Sequence, residues 1–242
     1  MIAYSSEPQP RDALQPPCVA VTGEARSGKS SLINALLGSD VLPTGFSDQV
    51  RLPVLVSYAS KPSLVLEHIN RRHVTTDWGA IARTPIDDIR RMRLGLPMDL
   101  LKSCRLLETP GFATGCDGLD RKALEACRRA NTAMWCTPAV QAWKASERDA
   151  WLALPKRLRG RSILAITYKD AIRSERDHAR LSARLRTEAG PYFSKIVMIA
   201  SKEAMRARQL DCRSARDALW QVSGGAEFCA AIRNLIARLP LS

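Results

Sequence analysis

Short apolar runs alternate with amphipathic stretches of helical spacing along most of this 242-residue chain. The first run, at residues 18–22, has the pattern of a buried strand, and residues 31–37 after it have the spacing of a helix. The later pattern predicts strands at 103–107, 133–136, 162–167 and 195–200, and helices at 120–130, 146–154, 171–189 and 226–239. Strands and helices in alternation predict an α/β fold, with a mostly parallel sheet covered by helices on both faces.

Two regions depart from the simple alternation. Residues 52–58 and 63–69 both have strand patterns, and we expect them to form an antiparallel pair at one edge of the sheet. Residues 84–93 have helical spacing with Pro85 near the start, which predicts a helix. Residues 1–17 carry four prolines and are expected to form a flexible N-terminal tail, ahead of one domain over 18–240.

A glycine-rich segment stands between the first strand and the first helix. Residues 23–30 read Gly-Glu-Ala-Arg-Ser-Gly-Lys-Ser, a full match to the phosphate-binding loop pattern G-x-x-x-x-G-K-[ST]. In such a loop, backbone N–H groups and the positive end of the helix hold a polyphosphate, the lysine neutralises the β- and γ-phosphates, and the serine hydroxyl coordinates Mg²⁺. We therefore expect a bound nucleoside triphosphate and Mg²⁺. The residues expected around the phosphates are Gly23, Glu24, Ala25, Arg26, Ser27, Gly28, Lys29, Ser30 and Ser31.

The composition is that of a globular protein with a strong positive charge. Apolar residues make up 45% of the chain, and no apolar run approaches the roughly 18 residues of a membrane span. The seven cysteines are scattered without a C-x-x-C pair, which argues against a zinc or disulfide framework and favours reduced thiols in the cytoplasm. The formal net charge of +13 leaves two interpretations open: a basic face for anionic lipid or nucleic acid, or a general compositional excess of arginine.

Further segments follow in the order and spacing of a GTPase. Residues 28–38 read Gly-Lys-Ser-Ser-Leu-Ile-Asn-Ala-Leu-Leu-Gly, and Leu42-Pro43 is followed by Arg51-x-Pro53 before a strand pattern. On these residues the chain resembles the dynamin-like branch of the TRAFAC class of P-loop GTPases, especially bacterial dynamin-like and Era/YfjP-type G domains. The resemblance covers nearly all of residues 18–205. It implies a P-loop NTPase fold, a three-layer α/β/α sandwich, with a dynamin-type G domain over 18–240 and GTP or GDP as its nucleotide.

The resemblance assigns guanine recognition to two loops. Thr167, Tyr168, Lys169 and Asp170 stand where family members carry [NT]-K-x-D, which implies that Asp170 accepts hydrogen bonds from guanine N1 and N2. A tyrosine replaces the usual lysine at position 168, and its ring could stack on the base instead. The second loop comprises Ala200, Ser201 and Lys202, and it matches the loop whose backbone N–H reads guanine O6.

The metal site departs from the family pattern at one position. Residues 108–111 read Glu-Thr-Pro-Gly where the family has D-x-P-G. The family aspartate holds a magnesium-bound water, and the glycine N–H meets the γ-phosphate. The resemblance therefore implies Ser30 and Glu108 at the metal and Gly111 at the γ-phosphate. Glu108 carries its charge on a longer stem, which predicts weaker but retained Mg²⁺ binding.

The residues at the positions expected to promote hydrolysis give conflicting indications: some argue against turnover and one argues for it. Val50 falls where dynamins carry the threonine that binds Mg²⁺ and orients the attacking water, and valine has no oxygen for either task; Thr44 or Ser47 is the alternative source. Ala25 stands where dynamins have a catalytic glutamine. Arg26 matches the arginine that guanylate-binding proteins and atlastins use as a finger supplied in cis, which makes Arg26 and Lys29 the expected catalytic residues. The alternative is a solvent-facing loop arginine.

Three functions stay open on the sequence alone. The first is a slow GTPase switch, activated by dimerisation of G domains, and the second is a pseudo-GTPase that docks a partner protein in a nucleotide-dependent way. The third is an accessory factor that contacts RNA or a membrane through its basic surface. The expected partners are a guanine nucleotide, a second copy of the chain and a larger, stalk-bearing dynamin-like protein. The expected location is cytoplasmic, with the inner face of the membrane as the peripheral alternative.

Overall fold

The structure, a computed structural model, describes residues 15–44, 52–70, 72–81, 84–85, 88–113 and 117–239. In these ranges one sheet runs in the order β4-β3-β5-β2-β6-β1-β7-β8-β9. The strands are β1 (Cys18–Gly23), β2 (Val54–Tyr58), β3 (Ser63–His68), β4 (His73–Thr75), β5 (Ile89–Leu96), β6 (Arg105–Glu108), β7 (Thr132–Pro138), β8 (Ile163–Thr167) and β9 (Lys195–Met198). The helices are α1 (Lys29–Leu37), α2 (Trp78–Ile81), α3 (Leu100–Ser103), α4 (Asp117–Cys127), α5 (Ala145–Ala153), α6 (Glu175–Glu188), α7 (Ser201–Arg208), α8 (Arg213–Val222) and α9 (Gly225–Ile236).

Five neighbouring strands, from β6 through β1 to β9, are all parallel. Every residue of β1 is buried, as expected for a central strand of a parallel sheet that is covered on both faces. The carboxyl ends of these five strands lie at one edge of the sheet, where open α/β folds bind their ligands. The predicted fold, a mostly parallel α/β sandwich of the P-loop NTPase type with antiparallel strands at one side, is confirmed.

The prediction of a helix at 84–93 is wrong from residue 89 onward, because Ile89–Leu96 is strand β5. Apolar residues at 92, 94 and 96 face the core and arginines at 91 and 93 lie on the opposite face, which is the period of two that a strand requires. That alternation starts near the end of the predicted helix and continues beyond it. Residues 84–93 therefore contain only the first part of this alternation, too little to distinguish a strand from a helix.

The predicted pairing of residues 52–58 with 63–69 is also wrong. Both segments form strands, β2 and β3, but β5 lies between them. β5 is parallel to β2 and antiparallel to β3, and β3 also carries β4 on its outer edge. The eight-residue β5 offers hydrogen-bonding edges to both neighbours, so it replaces the expected hairpin.

Two apolar cores cover the two faces of the sheet. One core packs α1, α7 and α9 against the sheet and contains Leu32, Ile33, Phe228 and Ile232. The other holds α4, α5 and α6 and is built around Trp135, whose ring centroid lies 5.8 Å from that of Trp151. Since alternate residues of β1 enter opposite cores, one strand anchors both layers.

In the described part of the chain, no helix combines the length and apolar character that a membrane span requires. The six cysteines described there are free thiols.

Candidate functional site

The glycine-rich loop joins the end of β1 to the start of α1, as its pattern predicts. Gly28 caps α1 with a φ of 83°, a left-handed conformation that favours glycine. A Cβ atom at Gly23 would lie 2.2 Å from the carbonyl oxygen of Cys136, so that position has no room for a side chain. Both glycines are therefore required by the backbone path that directs the loop toward the positive end of α1.

Lys29 is buried beneath the loop and folds back onto its carbonyl groups. The Nζ atom donates to the carbonyl of Glu24 at 2.7 Å and to that of Gly23 at 3.4 Å. Burial lowers the pKa of the Lys29 ammonium, while nearby acidic groups, first among them Glu108, oppose that shift. A polyphosphate would offer this ammonium a stronger counter-charge than the two carbonyls do.

Ser30 and Glu108 are in direct contact. The Ser30 hydroxyl donates to Oε1 of Glu108 at 2.6 Å, across 78 positions of sequence. Burial raises the pKa of the Glu108 carboxyl, and the hydrogen bond from Ser30 and the charge of Lys29 act against that shift. Hydroxyl and carboxylate oxygens are the hard ligands that Mg²⁺ prefers, so the pair fits that metal together with phosphate oxygens and water.

The segment after β6 runs beside the loop. The N–H of Ala25 donates to the carbonyl of Phe112 at 3.0 Å, and the N–H of Phe112 donates to the carbonyl of Gly23 at 3.1 Å. A Cβ atom at Gly111 would lie 2.6 Å from Cα of Ala25. Gly111 is therefore held against the loop.

Thr167 supports the loop from below. Its buried hydroxyl donates to the carbonyl of Ser27 at 2.8 Å and lies 3.2 Å from the carbonyl of Thr137. The Thr137 hydroxyl in turn donates to the carboxylate of Glu147 at 2.8 Å, and Glu147 is fully buried. A chain of polar contacts thus runs from α5 to the phosphate-binding loop.

Tyr168 and Arg26 meet at the outer side of the same loop. Both have left-handed backbones, with φ of 54° and 59°, which is uncommon for residues with a side chain. The Tyr168 hydroxyl donates to the carbonyl of Arg26 at 3.3 Å. The Arg26 side chain is exposed, so the position expected for a finger faces outward in this conformation.

The two loops expected to read the base lie side by side. The N–H of Lys169 donates to the carbonyl of Ile199 at 3.2 Å, which joins the end of β8 to the start of the 200–202 loop. The Lys169 ammonium donates to the carbonyl of Val222 at 2.6 Å, so this side chain is directed toward α8. Asp170 is exposed in a short 3₁₀ turn.

A cavity of about 250 Å³ brings several predicted residues together. Ser31 at the start of α1 and Ser201 and Lys202 at the start of α7 line it, with Asp40 and Thr44 on another side. The Ser201 hydroxyl is buried and has no hydrogen-bond partner among the described residues. A buried polar group without a partner is costly, so an ordered water or a bound ligand would complete this site.

Residues that the sequence did not single out also build the site. The Glu24 side chain forms an ion pair with Lys144 at 2.5 Å and accepts from the Ser146 hydroxyl at 2.8 Å. The Glu147 carboxylate accepts from the indole N–H of Trp135 at 3.2 Å and from the N–H of Lys144 at 3.0 Å. Lys144 and Ser146 lie more than 100 positions from Glu24 in the sequence, and Glu147 is a buried polar residue. No local motif identifies any of the three.

Part of the predicted machinery lies outside the described residues. Val50, Ser47 and Arg51 belong to this part, residues 45–51. Thr44, the other candidate for a magnesium-binding oxygen, lines the cavity described above.

A glycine-rich loop between a buried strand and a helix, with an acidic residue from the adjacent strand at its serine, defines the class of P-loop α/β proteins. Within this class, the sequence pattern of the Dynamin family matches residues 19–169. The chain therefore belongs to the Dynamin family.

Two curated relatives agree with this assignment. Dynamin-like protein 2 of Campylobacter jejuni is 30% identical over 193 residues, which cover 77% of this chain and 31% of that protein. The isoniazid-induced protein IniC of Mycobacterium tuberculosis is 26% identical over 119 residues, which cover 44% of this chain and 23% of that protein. The chain thus matches less than a third of the length of either relative.

Solved structures agree at the level of the fold. A member of an oligomerised bacterial dynamin pair, described as sensing and tethering membranes at long range, has a TM-score of 0.70 at 16% identity over 93% of this chain and 38% of that one. Era of Aquifex aeolicus, bound to GDP and AlF₄⁻, has a TM-score of 0.51 at 15% identity over 94% of this chain and 58% of that one.

Proposed function

We propose that this chain binds GTP with Mg²⁺ and hydrolyses it slowly to GDP and phosphate, as a switch whose turnover rises when two G domains meet. The observation that carries the proposal is the meeting of Lys29, the Ser30–Glu108 contact and the cavity at Ser201 along one edge of the sheet. Membership of the Dynamin family and the fold shared with Era support guanine as the base.

Each group has a defined task in this proposal. Backbone N–H groups of the loop and the start of α1 hold the phosphates, and Lys29 leaves its two carbonyl acceptors to neutralise them. Ser30 and Glu108 would hold Mg²⁺, which supplies charge neutralisation between the β- and γ-phosphates when bound. The Gly111 N–H would donate to the γ-phosphate, and Asp170 would select guanine.

Arg26 is the residue proposed to respond to dimerisation. It is exposed on the loop, so a facing G domain could turn its guanidinium inward, where it would stabilise charge on the transferring phosphoryl group. The assembly of a bacterial dynamin as an oligomerised pair favours a second copy or a larger dynamin-like protein as the partner. Any membrane contact of this chain would follow from such an assembly.

The alternative is a pseudo-GTPase that binds nucleotide and docks a partner without useful turnover. One contact favours it, the hydrogen bond of 2.6 Å from the Ser30 hydroxyl to Oε1 of Glu108. Metal binding by these two groups must break this short hydrogen bond. The valine at position 50 favours it as well, because valine offers no oxygen to metal or water.

The test is GTP hydrolysis over a series of protein concentrations, with and without Mg²⁺. We expect Mg²⁺-dependent turnover whose specific activity rises with protein concentration, and stoichiometric GTP binding without turnover would establish the pseudo-GTPase instead.

The Arg26→Ala variant should abolish the concentration-dependent rise in specific activity and leave GTP affinity unchanged, with Arg180→Ala on α6 as the matched control.

The Asp170→Asn variant should shift binding preference from guanine to xanthine nucleotides. Retained GTP selectivity would contradict the guanine assignment.

A further inference from the structure

A second cavity, of about 670 Å³, lies on the sheet face away from α1 and outside the nucleotide site. Its floor is apolar and is formed by Cys18, Leu55 and Leu107, each at most 5% exposed. We call it the basic groove because most of its walls are cationic. The cationic side chains that line it are Arg90, Arg91, Arg105, Lys122 and Arg129.

The groove has two basic banks. One bank is on β5, with Arg90 and Arg91, and the other, the α4 bank, is formed by Lys122 on α4 and Arg129 in the turn after this helix. Both side chains line the same cavity, so the helix and the turn after it form one cationic wall. One carboxylate, Glu125, lines the cavity on the α4 side. The groove therefore carries a large excess of positive charge.

The buried Glu67 does not remove that excess. Its carboxylate forms ion pairs with Arg91 at 2.7 Å and with Arg90 at 3.3 Å. One carboxylate balances one of the two guanidinium groups that it touches. Both arginines stay partly exposed, with 35% of the Arg90 side chain and 27% of the Arg91 side chain accessible.

The width of the groove matches one helix. β5 and β1 are separated by β2 and β6, so three strand spacings of about 4.8 Å place them about 14 Å apart. Helices that pack side by side have axes about 8–10 Å apart, so a helix beside α4 would lie over β2, two strand spacings from β1. α4 packs over β1 through Ala123 and Cys127, and no helix among the described residues covers β2 and β5 on this face. An α/β sandwich ordinarily places a helix over such a strip.

We propose that the basic groove binds an acidic amphipathic helix of a partner protein. The apolar stripe of that helix would cover Leu55 and Leu107, and carboxylates on both flanks would face the two basic banks. Ile69, which is 65% exposed at the rim, would lie against the side of the same helix. Opposite charges across such a surface speed association and fix orientation.

Other occupants fit less well. A second copy of this chain carries a net charge of +13, which opposes docking on a cationic surface. None of the described residues that line the groove is aromatic, so they offer single-stranded nucleic acid no platform for its bases. A flat lipid surface could reach the basic banks but would leave the recessed apolar floor uncovered.

The test uses fluorescein-labelled stapled helical peptides of about 15 residues, roughly 22 Å long, and the full chain. The first peptide has leucines at i, i+3, i+4 and i+7 and glutamates on both flanks. A second has the same composition in scrambled order, and a third has glutamine in place of glutamate. Anisotropy at physiological salt measures each dissociation constant, and vesicles of phosphatidylglycerol and phosphatidylcholine form a separate arm.

The decisive variant is Lys122→Glu with Arg129→Glu, since both side chains are exposed and lie outside the nucleotide site. Arg176→Glu with Arg180→Glu on α6 gives the same net charge elsewhere. We expect the first peptide to bind at least tenfold more tightly than the other two, with that affinity lost in the α4 variant and kept in the α6 variant. Ile69→Asn should weaken binding about threefold, and GTP affinity should be unchanged in all three variants.

Three results would overturn the proposal. Equal losses in the α4 and α6 variants would mean that overall charge alone attracts the peptide. Equal binding of the scrambled peptide would mean that no helical stripe is recognised. Binding to anionic vesicles that the α4 variant abolishes, without binding of any peptide, would make the groove a lipid-headgroup site. None of these results depends on whether the chain hydrolyses GTP.

Discussion

The Thr167 hydroxyl joins two loops that are 140 positions apart in the sequence, donating to the Ser27 carbonyl at 2.8 Å. The family pattern marks position 167 as part of the guanine-reading loop. In the structure, its side chain is buried under the phosphate-binding loop, so its contact is with protein backbone. A single hydroxyl thus couples the geometry of the base loop to that of the phosphate loop.

Replacing that hydroxyl tests the coupling. Thr167→Val keeps the shape of the side chain but leaves the Ser27 carbonyl without its donor, which costs about 1–3 kcal/mol. We expect the free energy of unfolding to fall by that amount and GTP affinity to fall about tenfold. Thr167→Ser is the control, because it restores the donor and should recover most of the affinity. Calorimetric titration and urea unfolding measure the two quantities, and wild-type values for the valine variant would show that the hydrogen bond is dispensable.

The sequence identifies some site residues far better than others. Lys29 and Ser30 follow from an eight-residue pattern, because the loop, the strand before it and the helix after it are adjacent in the chain. Glu147 and Thr137 carry no such pattern, because their polar partners meet only after the sheet has formed. The Glu24–Lys144 ion pair spans 120 positions and is invisible to any local window for the same reason.

At the scale of elements, β5 shows where local pattern reading fails. Its arginines at 90, 91 and 93 gave the segment a polar face that fits helical spacing over a short window. The alternation of apolar and polar residues continues through residue 96, and this pattern identifies a strand. Pairing with β2 on one side and β3 on the other then fixes its place in the sheet. Elements whose apolar period extends along their full length, such as β1, α1 and α9, lie close to their predicted positions.

The contact between β3 and β5 gives a pH-dependent prediction. Burial alone would raise the pKa of Glu67, but the hydrogen bond and charge of Arg91, with help from Arg90, outweigh burial and lower it below the ordinary 4.5. A lowered carboxyl pKa stabilises the fold above 4.5, and this contribution is lost as the pH falls through the folded-state value.

Glu67→Gln should therefore lower the free energy of unfolding by about 1–3 kcal/mol at neutral pH. The difference from wild type should shrink below pH 4.5 and vanish once Glu67 is protonated in both states. Glu188→Gln, which disrupts an exposed pair with Arg184, should change stability by less than about 0.5 kcal/mol. Urea unfolding at several pH values measures both, and a pH-independent loss would assign the effect to packing.

The crossing of the 108–113 segment and the phosphate-binding loop gives another prediction. A Cβ atom at Gly111 would lie 2.6 Å from the Ala25 Cα, and backbone cannot yield as a flexible side chain does. Gly111→Ala should displace the loop and lower GTP affinity at least about tenfold, a loss of about 1.4 kcal/mol. Gly190→Ala is the matched control, since its Cβ would meet no atom within 4 Å. Equal affinities in the two variants would show that the loop adapts without cost.

At the scale of the whole molecule, the C-terminal helices pack against the edge of the sheet that carries the 200–202 loop. The N–H of Ala200 donates to the carbonyl of Ser223 at 2.8 Å, and a Cβ at Gly224 would lie 2.0 Å from the Met198 carbonyl oxygen. The connection between α8 and α9 is thus pressed against the end of β9. Occupation of the cavity at Ser201 should therefore stabilise the C-terminal half as well as the phosphate loop.

Ligand binding should accordingly raise the melting temperature of the entire domain. At a GTP concentration about 100 times the dissociation constant, binding contributes about 2.7 kcal/mol, which for a chain of this size corresponds to about 5–10 °C. Thermal unfolding followed by tryptophan fluorescence, with GTP and Mg²⁺ or with ATP and Mg²⁺, measures the shift. ATP should give a clearly smaller shift, and equal shifts would contradict selection of guanine.

Strand β6 has one further consequence, because its last two residues face opposite sides of the sheet. Leu107 forms part of the floor of the basic groove, and Glu108 contacts Ser30 at the opposite layer. Any ligand that shifts β6 from one face acts on the other face through a single peptide bond. Thermodynamic reciprocity then fixes the outcome: the factor by which nucleotide changes the affinity of a groove ligand equals the factor by which that ligand changes the affinity for nucleotide.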